Sequence, residues 1–367
     1  MRLYPHISIV DPDGRLLWSS IEVMKVNVMA RFGAEDSEAE VFLHPHSPLP
    51  SCQLGDGLII RFGSTIRFQG TLVEIQRQTV GSPLVLKACR RPRRLFQREV
   101  RGLYEHQSPT VILSSILLST YPHQLWCENQ PASNRELDRL DFRGIPLFYA
   151  VDLLAKLAGN WLWWIDWEDH LHFISPDSPP EHEWYVHEDF LLLSPRLSDY
   201  RVKNDFEFHG GVIEGEEFIR TFSDAGSIEL YGRSPESLFA RAVMTPLVFE
   251  YLREAVIEEL PGPGYSRFIQ RVDGGLDAFF GERFRLRGNL PAGMSSGQVF
   301  RIAGEEIAWS EKGLSTRYHL ASGMESASRY TRYLDHEPLT VDFVGSQLGW
   351  FTLDLSSLDS EVRLGHE

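Results

Sequence analysis

Gly55-Asp56-Gly57-Leu58-Ile59-Ile60-Arg61-Phe62-Gly63, then Phe68-Gln69-Gly70-Thr71-Leu72-Val73-Glu74-Ile75, then Leu84-Val85-Leu86-Lys87-Ala88, reads as three strands separated by turns. More than two hundred residues later the plan is written again, as Gly281-Glu282-Arg283-Phe284-Arg285-Leu286-Arg287-Gly288, Val299-Phe300-Arg301-Ile302-Ala303-Gly304-Glu305-Glu306-Ile307 and Thr316-Arg317-Tyr318-His319-Leu320. In both copies a glycine and a carboxylate open a strand that ends in glycine. A second strand follows with apolar side chains at roughly every other position, and a third closes the unit. Alternation of this period describes a half-buried strand, and three such strands between turn residues predict a small barrel or sandwich. A chain with two like barrels can offer quasi-equivalent surfaces to its neighbours.

Working outward, His6–Val10 and Glu22–Ala30 alternate in the same way, with Asp11-Pro12-Asp13-Gly14 as a turn between strands, and Glu40–Leu43 completes a first barrel. Lys87-Ala88-Cys89-Arg90-Arg91-Pro92-Arg93-Arg94 is a basic segment with a proline in its middle and marks a domain boundary. After it, Ser108-Pro109 supplies an N-cap and a first-turn proline for a helix burying Ile112, Leu113, Ile116 and Leu117. Pro146 opens a second helix, Ala150, Val151, Leu154 and Leu157 form its stripe, and Gly159 ends it. Trp161–Asp166 and Leu171–Ile174 then form a hairpin packed on the helices.

Strands return at Tyr200–His209, which alternates and ends on Gly210-Gly211. Ser234-Pro235-Glu236 predicts a third helix, interrupted at Pro246 and running on to Gly262. Leu339–Val344 and Trp350–Leu355 are two more short strands, which extend the barrel or pair with another chain. The expected fold is α+β, mainly β, with two similar small β-barrels separated by an α+β domain. The expected divisions are a first, tube-like barrel at 1–98, an α+β domain at 99–185, a second barrel at 186–330 with a helical insertion near 234–262, and a C-terminal extension at 331–367.

Composition narrows the function. The chain has 367 residues, enough for two or three cores at roughly 150 residues each. Lys and Arg number 36 against 51 Asp and Glu, a net charge of -15 that opposes tight binding of duplex DNA through its phosphates. No run approaches the about 18 apolar residues of a membrane span, and the start, Met1–His6, lacks a signal-peptide core, so folding in a cytoplasm is expected. Cys52, Cys89 and Cys127 are an odd number without CxxC spacing, expected to be reduced, buried small hydrophobes.

Candidate chemistry is sparse. Asp166, Glu168, Asp169, His170 and His172 carry oxygen and imidazole ligands suited to a divalent metal, with His170 and His172 on one strand face. They sit at a hairpin tip, where solvated charge is ordinary, so no metal is expected. Trp161, Trp163, Trp164 and Trp167 suggest stacking on sugars, yet alternation sends Trp161 and Trp163 one way and Trp164 the other, so at least one side is core. Arg90, Arg91, Arg93, Arg94, Arg98 and Arg101 form either a nucleic-acid patch or, as expected in so acidic a chain, donors to a neighbouring acidic domain or subunit. No nucleophile elbow, phosphate-binding glycine loop or HExxH occurs, and no carboxylate pair is marked as acid and base. Neither catalytic residues nor a cofactor are expected.

The order of these features resembles the hub proteins of phage tails and baseplates: the late control protein D group, the Mu-like hub and the N-terminal region of the VgrG spike. The likeness is carried by Gly55-Asp56-Gly57, Phe68–Ile75, the Ser108-Pro109 helix, and Ile145-Pro146-Leu147 running into Trp161–Asp166 and Leu171-His172-Phe173. It continues in Tyr200–Gly211, Tyr231-Gly232-Arg233 and the second barrel up to Leu320. It covers about residues 20 to 325; the acidic helix around Glu250–Glu259 and the tail after Tyr330 depart from it. The resemblance implies a structural hub of a phage tail or phage-derived injection machine, a virion component assembled in the bacterial cytoplasm. It implies a homotrimer whose barrels form a pseudo-six-fold ring joining tail tube or distal tail protein to a central spike or tip, with a tape-measure protein as a further partner. DNA would pass the channel without specific binding, and the chain would insert in no membrane and catalyse nothing. The rival readings are a carbohydrate- or receptor-binding tail protein, a tail-associated cell-wall hydrolase, and an unrelated two-barrel scaffold.

Overall fold

The computed structural model describes residues 3–31, 37–45, 52–76, 82–91, 98–120, 135–175, 180–186, 188–192, 196–198, 202–259, 264–271, 276, 278, 281–290, 296–297 and 299–322. Seven strands come first: β1 (Pro5–Val10), β2 (Leu16–Ser20), β3 (Val23–Arg31), β4 (Ser37–Leu43), β5 (Gly57–Phe62), β6 (Thr65–Gln76) and β7 (Leu84–Arg90). They pair antiparallel in the order β2-β1-β5-β6-β7-β4-β3. The alternation does what was expected of it, burying Ile7, Ile9, Val41, Leu43, Leu58, Ile60, Leu84 and Leu86 on one side. The Asp11 carboxylate makes the first turn by accepting from the Asp13 and Arg15 backbone N–H, at 3.0 and 2.8 Å.

The middle of the chain contributes β8 (Glu99–Gln107), α1 (Pro109–Thr120), β9 (Leu137–Pro146), α2 (Leu147–Leu157) and the hairpin β10 (Leu162–Ile165) with β11 (Leu171–Ile174). The four apolar residues expected on α1 are all buried. Helix α2 is buried on nearly every side, Asp152 and Lys156 included, rather than along one stripe. It lies inside the fold, so its sequence carries too few polar positions to show a solvent face.

Then follow β12 (His182–Tyr185), β13 (Phe190–Leu192), β14 (Arg196–Ser198), β15 (Asp205–Ile213), β16 (Glu216–Ser223), α3 (Ala225–Tyr231), β17 (Pro235–Phe239), α4 (Pro246–Glu259), β18 (Gly264–Arg271), β19 (Arg283–Arg287), β20 (Val299–Ser310) and β21 (Gly313–Ser322). Strands β12, β13, β14, β18, β19, β20 and β21 form a second β-module, and β20 pairs antiparallel with β3 of the first. One sheet of 14 strands therefore runs through both modules. Among the described residues its pairings close no barrel. The fold is mainly β, as expected, and where alternation predicted two small barrels the described residues give one spliced sheet, because alternation reports which face is buried and not which edges meet.

Three local expectations are corrected. The helix expected from Ser234-Pro235-Glu236 is the strand β17, parallel to β15. The Asn204 amide accepts from the Ser234 N–H at 2.8 Å, and among the described residues β17 has β15 as its one neighbour, so Pro235 opens an edge strand where its missing N–H costs nothing. Helix α4 starts afresh at Pro246, with Thr245 Oγ1 accepting from Val248 N–H at 3.4 Å. Strand β15 does not stop at Gly210-Gly211 but passes through them on a bulge to Ile213. A Cβ at Gly210 would lie 2.5 Å from the Val243 carbonyl oxygen and one at Gly211 2.4 Å from that of Arg241, so both glycines allow close backbone approach.

Two apolar cores result. One gathers Ile112, Leu113, Phe142, Val151 and Leu154 with Phe206, Phe208, Leu238, Phe249 and Leu252. Strands β15, β16 and β17 and helix α4 share this core with α1 and α2. The other core fills the long sheet with residues of both modules. The expected strands Leu339–Val344 and Trp350–Leu355 lie outside the described residues. Among the described residues no helix is long and apolar enough to cross a membrane.

Candidate functional site

The splice between the modules is where the structure concentrates its unusual side chains. Strand β20 carries a bulge between Ile302 and Gly304. Before the bulge β20 pairs with β19; beyond it, Gly304–Ser310 pairs with Arg31–Lys25 of β3. The bulge redirects the strand, which is what bulges do to a twisted ladder. Immediately after it, Glu305 meets Arg67 of β6 at 3.2 Å, and each is 1% exposed. Arg67 also donates to the backbone carbonyls of Ala278, at 2.8 Å, and Leu276. Tyr318 Oη donates to the Ala278 carbonyl at 3.3 Å. Burial drives the Glu305 carboxyl up to about 7, against the opposing pull of Arg67. Neither partner was singled out from sequence, since the two are separated by 238 positions. Farther along the splice, Trp309 Nε1 donates to the Leu3 carbonyl at 3.0 Å and its ring lies 6.0 Å from Tyr4.

The tryptophan hairpin β10–β11 is the second tie. Trp161, Trp163, Ile165, Leu171 and Phe173 enter the helical core. Leu162, Trp164 and Trp167 enter the core of the long sheet. All four tryptophans are buried, so their rings offer no face to a sugar. Alternation placed the rings on two faces correctly; both faces are core. Trp163 Nε1 donates to Asp152 Oδ1 at 3.2 Å, Trp167 lies 5.5 Å from Phe68, and Trp164 stacks on His172 at 4.6 Å.

The acidic and imidazole groups at the hairpin tip are brought together, though as a turn. Asp166 Oδ1 accepts from the Glu168 and His170 backbone N–H, both at 2.9 Å, while His170 and His172 approach Oδ2 at 3.2 and 3.0 Å. Burial works to raise this carboxyl, yet the bonds from His172, His170 and Glu168 outweigh it and hold it at about 2. Arg90 closes the assembly, donating to the Asp166 carbonyl at 2.5 Å and to Asp169 at 2.6 Å, with its guanidinium 5.2 Å from the Trp167 ring. Asp169 is raised by burial, which exceeds the lowering by Arg90.

Within the basic run, Arg90 serves an acidic neighbour in the way expected of the run. Arg98 donates to the Thr120 carbonyl and Arg101 to Glu99 at 2.7 Å; Arg93 and Arg94 lie outside the described residues. Cys89 is buried and Cys52 only half-buried, so the second is not the core residue expected; Cys127 lies outside the described residues.

No protein-family model matches the chain, and no curated protein is similar to it in sequence. Solved structures do match. The 43 kDa tail protein of prophage MuSo2 from Shewanella oneidensis superposes with a TM-score of 0.61 at 10% identity, over 87% of this chain and 98% of that one. A tail protein from Neisseria meningitidis MC58 matches at 0.58 and 13% identity, over 86% and 96%. The prophage tail protein gp18 from Listeria monocytogenes EGD-e matches at 0.52 and 10% identity, over 86% and 94%. At these identities the likeness is one of architecture, and it spans nearly the whole of each relative: the chain has the fold of phage tail proteins.

Proposed function

We propose that the chain is the structural hub of a phage tail or phage-derived injection machine. Three copies form a pseudo-six-fold ring that joins the tail tube to a central spike or tip and lines the channel. The protein resides in the virion tail, is assembled in the bacterial cytoplasm, and works without catalysis. Each copy contributes two like β-modules, and a six-membered arrangement from three chains meets six-fold and three-fold neighbours alike.

The observation that carries this reading is an unused edge. Beyond its bulge, β20 gives one edge to β3 and the other to β21. Strand β6 has a bulge at the corresponding place, and its continuation Glu74–Gln76 pairs with β7 alone among the described residues. Among the described residues, the edge that β3 covers on β20 has an open counterpart on β6. A strand from a second copy completes it, as β3 completes β20 within one chain. Val73 at this edge is 42% exposed, and the terminal strand β2 presents Leu16 and Leu17, apolar surface suited to a subunit contact. The net charge of -15 suits a channel wall on which passing DNA finds no cations to bind.

Light scattering across a range of protein concentrations tests the assembly. A trimer, or a monomer moving towards a trimer with concentration, is the expected result. A dimer that does not change with concentration contradicts it, since two-fold pairing leaves the β6 edge without its quasi-equivalent partner.

A further inference from the structure

We propose that Arg301 is the receiving fork of a buried carboxylate-binding site in the second β-module. Arg301 on β20 lies directly opposite Arg283 on β19, and the two are 2% and 7% exposed. Two guanidinium groups on facing positions repel, and out of water a cation is costly unless a counter-charge meets it. The fold itself does not ask for them. At the corresponding place in the first module, Gly57 faces Thr71.

Arg301 Nη1 donates to the Gly281 carbonyl at 3.2 Å. Its Nε and Nη2 are buried and have no hydrogen-bond partner among the described residues. These nitrogens share one edge of the planar guanidinium, the edge that grips a carboxylate by two parallel N–H···O bonds. The nearby carboxylate of Glu181 accepts from the Arg283 backbone N–H through Oε2, at 2.6 Å, and among the described residues it makes no hydrogen bond to Nε or Nη2 of Arg301. Burial and the adjacent Arg283 push the Arg301 guanidinium down to about 9, Glu181 opposing them, as befits a cation short of a counterion. The ligand is a planar carboxylate, supplied by a small acid from solution or by an acidic side chain of a neighbouring polypeptide. The site does not depend on the hub reading.

Thermal unfolding of the full chain in chloride, acetate and phosphate at equal pH and ionic strength tests this, with Arg301→Lys as the variant that keeps charge and loses the fork. Acetate is expected to raise the melting temperature of the unaltered protein by about 2 °C or more over chloride, saturably, and to leave Arg301→Lys unmoved. If a neighbour's side chain fills the fork, acetate competes with it, and the mass by light scattering falls with acetate in the unaltered protein alone. Acetate indistinguishable from chloride in both readouts overturns the proposal. So does a response to phosphate without one to acetate, which would assign the site to a tetrahedral anion. Both decisive readouts use the unaltered protein, so they stand even where the variant folds poorly.

Discussion

The triplets β5–β6–β7 and β19–β20–β21 share a backbone and differ in what they bury. In the first, the Gly55 N–H donates to the Leu72 carbonyl at 3.0 Å and the Leu72 N–H to the Asp56 carbonyl at 2.7 Å. In the second, the Gly281 N–H donates to the Ile302 carbonyl at 2.7 Å and the Ile302 N–H to the Glu282 carbonyl at 3.0 Å. Each clamp is followed by a bulge, between Leu72 and Glu74 in one and Ile302 and Gly304 in the other. The side chains have diverged. Gly57 facing Thr71 corresponds to Arg283 facing Arg301, and Ile75 corresponds to the buried Glu305. The outer neighbour also differs, β1 running antiparallel to β5 while β12 runs parallel to β19. Repetition is thus a property of glycine positions, turns and bulges, whereas the buried polar side chains differ from copy to copy, Arg67 in the first and Arg283, Arg301 and Glu305 in the second.

The sharpest break in this comparison is Glu305→Ala. It strands Arg67 in the core, and we expect a loss of about 3–5 kcal/mol in denaturant unfolding. Replacing both partners, Arg67→Met with Glu305→Leu, should recover most of that loss. Next come the paired glycines. At Gly281 (φ +91°) a Cβ would lie 2.5 Å from the Trp164 ring, whereas at Gly55 (φ +100°) it meets open space. Both pay for a left-handed conformation, but Gly281→Ala also overpacks, so we expect about 3 kcal/mol against about 1 kcal/mol for Gly55→Ala. Equal costs would mean that the hairpin does not wedge against the second clamp.

Acidity separates the modules further. The Glu305 carboxyl rises from 4.5 to about 7 on folding, so between those values the folded chain holds a proton that the unfolded chain releases. Its contribution is complete below pH 4.5 and falls as pH rises towards 7, by at most about 1.4 kcal/mol per unit. Glu305→Gln should remove that slope, while no such slope is expected from Ile75 in the first copy. Asp56→Ala, which deletes a 2.8 Å bond from the Gln53 N–H to Asp56 Oδ2, should cost about 1 kcal/mol, no more than Gly55→Ala.

The repeat was legible because its markers are local: glycines at positive φ, carboxylates beside them and alternating strands. Helices α1 and α2 were legible from Ser108-Pro109 and Pro146 for the same reason. The splice was not, since the β3–β20 register and the Arg67–Glu305 contact join distant segments and leave no local mark. Ser234-Pro235-Glu236 misled because a helix-start signature also suits the first residues of an edge strand. Helix α3 was missed although it carried a signal: Asp224 caps it, accepting from the Ser227 N–H at 2.7 Å.

The central claim is that two equivalent modules in one chain build a ring. Electron-microscope class averages of the purified assembly test it most directly. We predict a closed ring with three-fold symmetry in which six similar lobes surround a channel. A two-fold particle, or a three-fold one whose lobes do not fall into six like densities, would contradict it.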